Sequence, residues 1–357
     1  MRASPLAFAL VTAAALVAAA ACDATEAAPA PAMLDAASEA EAPPAAANAS
    51  ASPHVMLPTV LAAGLGEPRG LVLIGDELYV VEHGAGRIVA VRKSGGAPRV
   101  VASGLRGPFR LATDGASLLA SEREGGNVLR IELGGRVTVL ASGIAQPGEV
   151  AVSHGEAFWL EAGTDAGTGA LWRASLDGGA PHVITSGITR ASGLAVGASR
   201  AYVTADAFGG AKGNVLAAAL SSDEADASDG DAAPLTTTPE LAQGIAADEK
   251  AGFAYWAARK GTSTGASEGF IRRTMLDGGK TDALTEAPYG ADRVVTHAGY
   301  VYFTNYQTLA RVPVSGGPRE DLALHTSVGD LLVTDDAVYW TDADAGKLYV
   351  HALGAPP

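Results

Sequence analysis

Beyond Leu57 the apolar residues of this chain come in short alternating runs, separated by glycine and polar residues. Gly70-Leu71-Val72-Leu73 and Gly193-Leu194-Ala195-Val196 are typical runs, and paired glycines such as Gly95-Gly96 occur in the turns. Alternation over a short run predicts a strand, because a helix would repeat its apolar positions every three to four residues. Paired glycines supply the positive φ angles of tight hairpins. The pattern therefore predicts an all-β chain of antiparallel strands.

One kind of strand recurs along the chain with a large apolar residue, usually aromatic, at its second position. These residues are Tyr79, Leu119, Phe158, Tyr202, Tyr255, Tyr302 and Tyr339, at intervals of 37 to 53 residues. Each unit has an inner strand, this aromatic strand, a third strand and, after a glycine turn, a fourth strand. Such spacing is that of a four-stranded propeller blade. The repeats predict a seven-bladed β-propeller of four-stranded antiparallel blades over residues 58–357.

The two ends of the repeat region complement each other. The seventh unit stops after its third strand, near His351, whereas the segment from Thr59 to Leu65 has the pattern of a fourth strand. We expect this N-terminal strand to complete the last blade. Pairing the two ends in one sheet would close the ring and remove the open strand edges that favour aggregation.

The N-terminal part has a different composition. Arg2 precedes an apolar run from Leu6 to Ala21 that only Thr12 interrupts, and Cys22 follows immediately. This order predicts a signal peptide over residues 1–21. Residues 22–57 are rich in alanine and proline and lack aromatic side chains. Because such a segment buries too little apolar surface to offset its ordering entropy, we predict a disordered tether.

Ala19-Ala20-Ala21-Cys22 resembles the lipobox of bacterial lipoproteins. The resemblance implies that Cys22 is lipidated and that the protein is a membrane-anchored lipoprotein of the bacterial cell envelope. The alternative is an ordinary secretory signal with an incidental cysteine, which would leave a periplasmic or secreted protein. Since Cys22 is the only cysteine, intramolecular disulfides and cysteine-based zinc sites are excluded.

The formal net charge of −14 opposes contact with phosphate backbones and anionic lipid surfaces. We therefore expect no nucleic-acid partner and no membrane contact except through the lipid anchor. We expect the propeller to be a monomer.

Val338-Tyr339-Trp340-Thr341-Asp342 resembles the Tyr-Trp-Thr-Asp repeat of propellers of the low-density-lipoprotein-receptor type. Inner strands such as Gly193-Leu194-Ala195-Val196 are similar to those of NHL-type propellers. The resemblance covers nearly all of residues 58–357 and implies a propeller architecture. Propellers host binding, lyase, lactonase and redox activities, so the architecture does not select one of these functions.

Propeller ligands usually meet the face formed by the loops that join strand four to strand one and strand two to strand three. At the start of the inner strands on this face stand Gly70, Arg110, Glu149, Gly193, Gly244, Arg293 and Asp330. We call these seven residues the ring positions. Their charged members, Arg110, Glu149, Arg293 and Asp330, are candidates for binding a polar ligand at the mouth of the central channel. His83 lies beside them and is a further candidate.

Five of the seven second strands end in a residue with a carboxylate or amide side chain, and the other two have Ala205 and Ala258 there. The five are Glu82, Glu122, Glu161, Asn305 and Asp342. Oxygens that converge from several elements can bind a hard cation such as Ca²⁺ or Mg²⁺, and a metal can activate water for hydrolysis. The set resembles in kind the Glu/Asn/Asp site of six-bladed lactonase-like propellers. Resemblance to the seven-bladed streptogramin-lyase-like propellers would require a histidine and metal-binding carboxylates, which only His83 with Glu82 or Glu122 can supply.

The alternative for these acids is a structural role inside each blade. Glu82 is close in sequence to Arg87, and Glu122 is followed by Arg123, so each could form an ion pair or cap a turn. We favour this interpretation, because acids that recur in repeats often belong to the repeat itself.

No Walker loop or His-Glu-x-x-His motif occurs in the chain. The sequence therefore predicts a scaffold that binds a protein, a glycan or a small molecule, with no required cofactor. The alternative is a metal-dependent hydrolase or lyase with its site on the same face.

Overall fold

The computed structural model describes residues 58–163, 167–206, 213–220, 232–261, 267–288, 290–305, 308–324 and 327–354. The predicted signal peptide, the lipidation site at Cys22 and the predicted tether lie outside the described residues. Within the described ranges, the strands form seven sheets of four strands each. No helix in this part of the chain is long and apolar enough to cross a membrane.

Strand β1 (Thr59–Ala63) comes first in the chain, and the first three blades follow it. Blade I is formed by β2 (Pro68–Ile74), β3 (Glu77–Glu82), β4 (Arg87–Arg92) and β5 (Arg99–Ser103). Blade II is formed by β6 (Pro108–Thr113), β7 (Ser117–Glu122), β8 (Asn127–Glu132) and β9 (Val137–Ser142). Blade III is formed by β10 (Pro147–Ser153), β11 (Glu156–Glu161), β12 (Gly169–Ser175) and β13 (His182–Ile188).

The remaining four blades continue in chain order. Blade IV is formed by β14 (Gly193–Val196), β15 (Arg200–Asp206), β16 (Gly213–Ala219) and β17 (Ala233–Thr238). Blade V is formed by β18 (Leu241–Asp248), β19 (Phe253–Gly261), β20 (Ser267–Met275) and β21 (Thr281–Glu286). Blade VI is formed by β22 (Ala291–His297), β23 (Tyr300–Asn305), β24 (Thr308–Pro313) and β25 (Glu320–Leu324). Blade VII is formed by β26 (Val328–Val333), β27 (Ala337–Asp342), β28 (Lys347–Ala352) and β1.

The first strand of the repeat region completes the last blade, as predicted. β1 pairs antiparallel with β28, with Thr59 opposite Val350 and Val60 opposite Tyr349. Blade VII therefore contains strands from both ends of the repeat region. This pairing closes the ring and confirms the predicted seven-bladed, all-β architecture.

The recurring aromatic residues of the second strands pack between neighbouring blades. Tyr79 of blade I shares a buried cluster with Leu118 of blade II. Tyr302 of blade VI packs in the same way with Trp340 of blade VII. Tyr339 of blade VII packs with Leu78 of blade I, across the closure of the ring. Burying each large side chain stabilises the fold by about 2 kcal/mol, so the aromatic repeat holds one blade against the next.

The loops on the ligand face are held to one another by backbone hydrogen bonds. Gly86, in the loop between β3 and β4, has a φ of 60° and accepts a hydrogen bond from the Leu105 N–H at 2.9 Å. A Cβ at Gly86 would lie 2.6 Å from the Leu105 carbonyl oxygen, so only glycine fits this close approach. The same contact recurs in blade II between Gly126 and Ile144. These loops thus provide a rigid support for the face.

Candidate ligand-binding site at the channel mouth

The structure places the ring positions next to one another around the axis of the propeller. A Cβ at Gly70 would lie 3.0 Å from the Arg110 Cα, and one at Gly244 would lie 3.2 Å from the Arg293 Cα. A Cβ at Gly193 would lie 3.1 Å from the Gly244 Cα. Inner strands from neighbouring blades therefore bring these residues together at the mouth of the channel.

Four of the predicted candidates bind one another, and we call Arg110, Glu149, Arg293 and Asp330 the channel network. Arg110 Nε donates to Glu149 Oε1 at 2.8 Å, and Arg293 Nη1 donates to the same oxygen at 3.0 Å. Arg293 Nε forms an ion pair with Asp330 Oδ1 at 3.4 Å. Asp330 Oδ2 also accepts a hydrogen bond from the Leu71 N–H at 2.9 Å. The two arginines and two carboxylates neutralise one another.

The network perturbs the titration of its members. Burial raises the pKa of the Glu149 carboxyl, but the positive charges of Arg293 and Arg110 outweigh burial and lower the pKa to about 2. Burial lowers the pKa of Arg293, but the negative charges of Glu149 and Asp330 outweigh it, so this pKa is raised. Glu149 is therefore ionised at neutral pH and cannot serve there as a general acid.

Glycines at the other ring positions leave the space that the network needs. Glu149 of blade III and Arg293 of blade VI meet although blades IV and V lie between them, and both of these blades have glycine at the ring position, Gly193 and Gly244. Arg110 of blade II reaches past blade I, where Gly70 stands, and donates to the Gly329 carbonyl of blade VII at 3.2 Å. The network thus joins blades II and III to blades VI and VII across the axis.

The glutamates at the ends of the second strands are bonded within their own repeat unit. Glu82 accepts hydrogen bonds from Arg87 and, at 2.8 Å, from the Gly66 N–H. Glu122 accepts from the Arg106 N–H at 2.8 Å and from Asn127 Nδ2 at 2.7 Å. In both cases the backbone donor lies 16 residues upstream, in the loop that leads into the inner strand.

The third glutamate follows the same rule. Glu161 Oε1 accepts from the Ala145 N–H at 3.0 Å, again from 16 residues upstream, and Glu161 Oε2 accepts from Trp172 Nε1 at 3.1 Å. Each carboxylate therefore ties the entry loop of its blade to the end of the second strand. The sequence suggested a pair between Glu82 and Arg87, and this pair is present. Glu122 uses Asn127 rather than the adjacent Arg123.

Asn305 and Asp342 also have local hydrogen-bond partners. Asn305 Oδ1 accepts from the Thr308 N–H at 2.6 Å, and Asn305 Nδ2 donates to the Pro288 carbonyl at 2.8 Å. Asp342 Oδ1 accepts from the Ala345 N–H at 2.8 Å. Among the described residues, no group of three or more His, Cys, Asp or Glu side chains is placed to hold a metal ion. Asn305 and Asp342 thus each have a hydrogen-bond partner three residues further along the chain.

His83 lies on the same face but is turned towards blade II. Its Nδ1 lies 3.0 Å from the Pro108 carbonyl oxygen, so the Nδ1 proton is donated to that carbonyl. Its Nε2 lies 3.6 Å from Glu124 Oε1. The ring meets the edge of Phe109 with 6.3 Å between centroids.

His83 forms part of an open depression of about 620 Å³, which we call the Phe109 depression. The residues that line it are Arg69, His83, Phe109, Arg123, Glu124 and Gln146. The guanidinium carbons of Arg110, Arg123 and Arg69 lie 4.2, 4.7 and 5.9 Å from the centre of the Phe109 ring. Contacts of this kind attract a cation to an aromatic ring. Three cationic side chains are thus gathered around one aromatic residue at the channel mouth.

Four lining residues were not predicted as site residues from the sequence: Arg69, Phe109, Arg123 and Gln146. Arg69 and Phe109 each directly precede a ring position. Both lie where the ladder between the inner and second strands shifts register, a shift that also occurs in blades III, V, VI and VII. Arg123 follows Glu122 as His83 follows Glu82. Comparing the residues adjacent to the ring positions between blades I and II could have found this cluster.

Arg69 and Arg123 differ from the arginines of the channel network, because those arginines each form an ion pair with a carboxylate. Within the described ranges, neither forms an ion pair with an acidic side chain. Arg69 Nε is buried and, in this part of the chain, has no hydrogen-bond partner. Arg123 is exposed as a residue, but partial burial of its guanidinium lowers its pKa, and repulsion by Arg110 and Arg69 lowers this pKa further. Among its described lining residues, the depression therefore carries an excess of positive charge, with Arg69 and Arg123 against one carboxylate, Glu124.

Known proteins resemble this chain in fold but not in sequence. No family model matches the chain, and no curated protein matches its sequence. Among solved structures, hydrazine synthase of Kuenenia stuttgartiensis is similar, with a TM-score of 0.67, 10% identity, and coverage of 84% of this chain and 99% of that chain. An inactive variant of virginiamycin B lyase from Staphylococcus aureus, solved with quinupristin, has a TM-score of 0.61, 12% identity, and coverage of 84% and 99%.

Aldose sugar dehydrogenase from Streptomyces coelicolor, in its PQQ-bound form, has a TM-score of 0.50, 16% identity, and coverage of 82% of this chain and 97% of that chain. These three proteins have different activities but share the propeller fold. At such low identity, the similarity establishes the architecture alone. The chain is a seven-bladed β-propeller.

Proposed function

We propose that this protein is an exported, lipid-anchored propeller that binds a partner through the Phe109 depression and does not catalyse a reaction. The observation that carries the proposal is the contrast between two groups of residues on one face. The carboxylates are engaged in their own blades or in the channel network. The cations Arg69 and Arg123 line an open depression and are not neutralised by described residues.

The volume of the depression suits this role. Sites for small molecules commonly enclose a few hundred cubic ångströms and combine apolar walls with a few polar groups. A depression of about 620 Å³ has a size in this range, and its described lining combines the Phe109 ring with five polar or charged side chains. A small molecule or a group on a glycan or protein chain would fit a depression of this size.

A hydrolase or lyase mechanism would need a free base or a metal-bound water. Glu82 and Glu122 would each have to give up two hydrogen-bond partners to bind a metal. His83 already uses Nδ1 to hold the Pro108 carbonyl. These contacts support a binding role over the metal-dependent alternative, which stays a prediction from the sequence.

The membrane anchor is part of the proposal and depends on Cys22. A lipid on this residue would hold the propeller at the cell envelope. Membrane contact would then come from the lipid, since a chain with a net charge of −14 is repelled by anionic lipid surfaces.

The test is a thermal-shift screen of the purified full-length protein against sugars, peptidoglycan fragments and other small molecules of the cell envelope. A ligand that raises the melting temperature saturably is expected to lose its effect in Phe109→Ala. The matched control is Phe253→Ala, because Phe253 lines a different open depression of about 550 Å³ and also has an arginine, Arg273, 5.2 Å from its ring. Ligands that respond only to Phe253→Ala would overturn the proposed site.

A further inference from the structure

The Phe109 depression has a charge opposite to that of the whole protein. The chain carries a net charge of −14, yet Arg69, Arg110 and Arg123 surround one ring. Only Arg110 is neutralised by a described acid, through its hydrogen bond to Glu149. Like charges held this close repel one another, and an anion placed between them would remove that repulsion.

The backbone of Arg69 is held by a neighbouring blade. Thr341 Oγ1 of blade VII donates to the Arg69 carbonyl at 3.0 Å, and Arg69 lies within the register shift of β2. The side chain then reaches Phe109 of blade II, and its buried Nε has no partner among the described residues. A buried donor without a partner costs free energy, which an acceptor from a ligand would recover.

Arg123 approaches the same ring from the second-strand side of blade II. Its guanidinium lies 4.7 Å from the ring centre while its side chain stays exposed at the surface of the depression. Glu124, the carboxylate that also lines the depression, lies near His83 rather than pairing with either free arginine. The cationic groups therefore remain open to a ligand from solvent.

We infer that the Phe109 depression recognises an oxyanion, a carboxylate or phosphate group of a small molecule or glycan, which Arg69 and Arg123 bind. This inference rests on the proposed function and adds the chemical class of the ligand. Guanidinium groups are suited to it, because their planar donors match carboxylate and phosphate oxygens in pairs. Phe109 orients the guanidinium groups, and the concave shape favours a small group over a flat membrane surface.

The experiment measures the binding of three probes to the full-length protein, all compared first at the same ionic strength. The probes are benzoate, phenyl phosphate and benzamide. Benzamide has the shape of benzoate without its charge. We expect at least one anionic probe to bind saturably by calorimetry while benzamide does not. Binding is also expected to weaken as salt is added. The preferred anion then assigns the carboxylate or the phosphate class.

Variants locate the binding. Arg123→Gln and Arg69→Gln are each expected to reduce the affinity for the bound anion about tenfold or more. Arg200→Gln is the control, since Arg200 is an exposed arginine beside the Phe253 depression. Because the Arg123 side chain is exposed, its replacement leaves the fold intact. Equal loss in Arg200→Gln, benzamide binding as tightly as benzoate, or no binding of either anion would overturn the inference.

The two proposals can fail separately. If the anionic probes do not bind but a neutral or cationic compound from the screen loses its effect in Phe109→Ala, the proposed binding function stands and the anion inference fails. If anions bind and every variant of the depression retains them, both the site and its ligand class are wrong.

Discussion

Replacing Glu149, the carboxylate that two arginines of the channel network share, tests the structure most severely. Replacing Glu149 by glutamine keeps the size of the side chain but leaves Arg110 and Arg293 without the carboxylate that they share. The pKa of Glu149 is lowered from 4.5 to about 2, and this lowering corresponds to about 3 kcal/mol of stability. The loss of one partner from a buried ion pair costs about 3–5 kcal/mol, in agreement with this figure.

The assay is urea unfolding of the full-length protein at pH 7. A propeller of this size is expected to lose stability by about 3 kcal/mol per molar urea, so Glu149→Gln would lower the midpoint by about 1 M. Glu132→Gln is the matched control, because Glu132 is exposed and lies 3.5 Å from Arg136. An exposed pair of this kind contributes less than about 1 kcal/mol.

The pH dependence gives a second readout with a defined sign. The folded-state pKa of Glu149 is below its unfolded value, so its contribution is complete above about pH 4.5 and is lost as the pH falls towards 2. The difference between the wild-type protein and Glu149→Gln is therefore expected to shrink over this range. If Glu149→Gln unfolds at the same urea concentration as Glu132→Gln, the channel network does not stabilise the protein and this reasoning is wrong.

Three further predictions concern the fold and the anchor. Deleting residues 58–65, which contain β1, is expected to expose the edge of β28 in blade VII and to cause aggregation, which size-exclusion chromatography would detect. A monomer with unchanged circular dichroism would contradict ring closure. Trp256→Ala is expected to destabilise the propeller by about 3–5 kcal/mol in the urea assay, because Trp256 is fully buried in the cluster between blades IV and V. A loss of stability below about 1 kcal/mol would disagree with that packing. Cys22→Ser is expected to move the protein from the membrane to the soluble fraction, and unchanged fractionation would exclude lipid anchoring at Cys22.

The blades could be predicted from the sequence because each repeats the same local pattern. Tyr79, Tyr302 and Tyr339 recur at equivalent points, and burial between neighbouring blades explains why an aromatic residue is suitable there. The closing role of β1 followed from a missing fourth strand at one end and a surplus strand at the other. Periodicity and the requirement that strand edges be paired are sufficient to predict both features.

The candidate site could be predicted only in part. The ring positions follow from alignment of the inner strands, and the structure does bring Arg110, Glu149, Arg293 and Asp330 together. Which of them pair depends on the arrangement of blades around the axis. Glu149 meets Arg293 because two intervening blades have glycine, a relation between residues far apart in the chain.

Arg69 and Phe109 were missed for a different physical reason. Both residues lie inside register shifts of β2 and β6, where simple alternation along the strand does not predict which way a side chain points. A shift of this kind has no clear signature in the alternation of apolar residues. Comparing blades I and II can single out these residues, but the distances that gather three guanidinium groups around Phe109 follow only from the structure.

The central claim is that the carboxylates at the ends of the second strands hold their own blades together, while the face binds its partner through arginines. The most direct measurement is a thermal-shift titration of the chelator-treated full-length protein with Ca²⁺, Mg²⁺, Mn²⁺ and Zn²⁺. The account predicts no saturable rise in melting temperature with any of these ions. A saturable rise with one ion that is lost in Glu122→Gln would contradict it and would establish a metal site on this face.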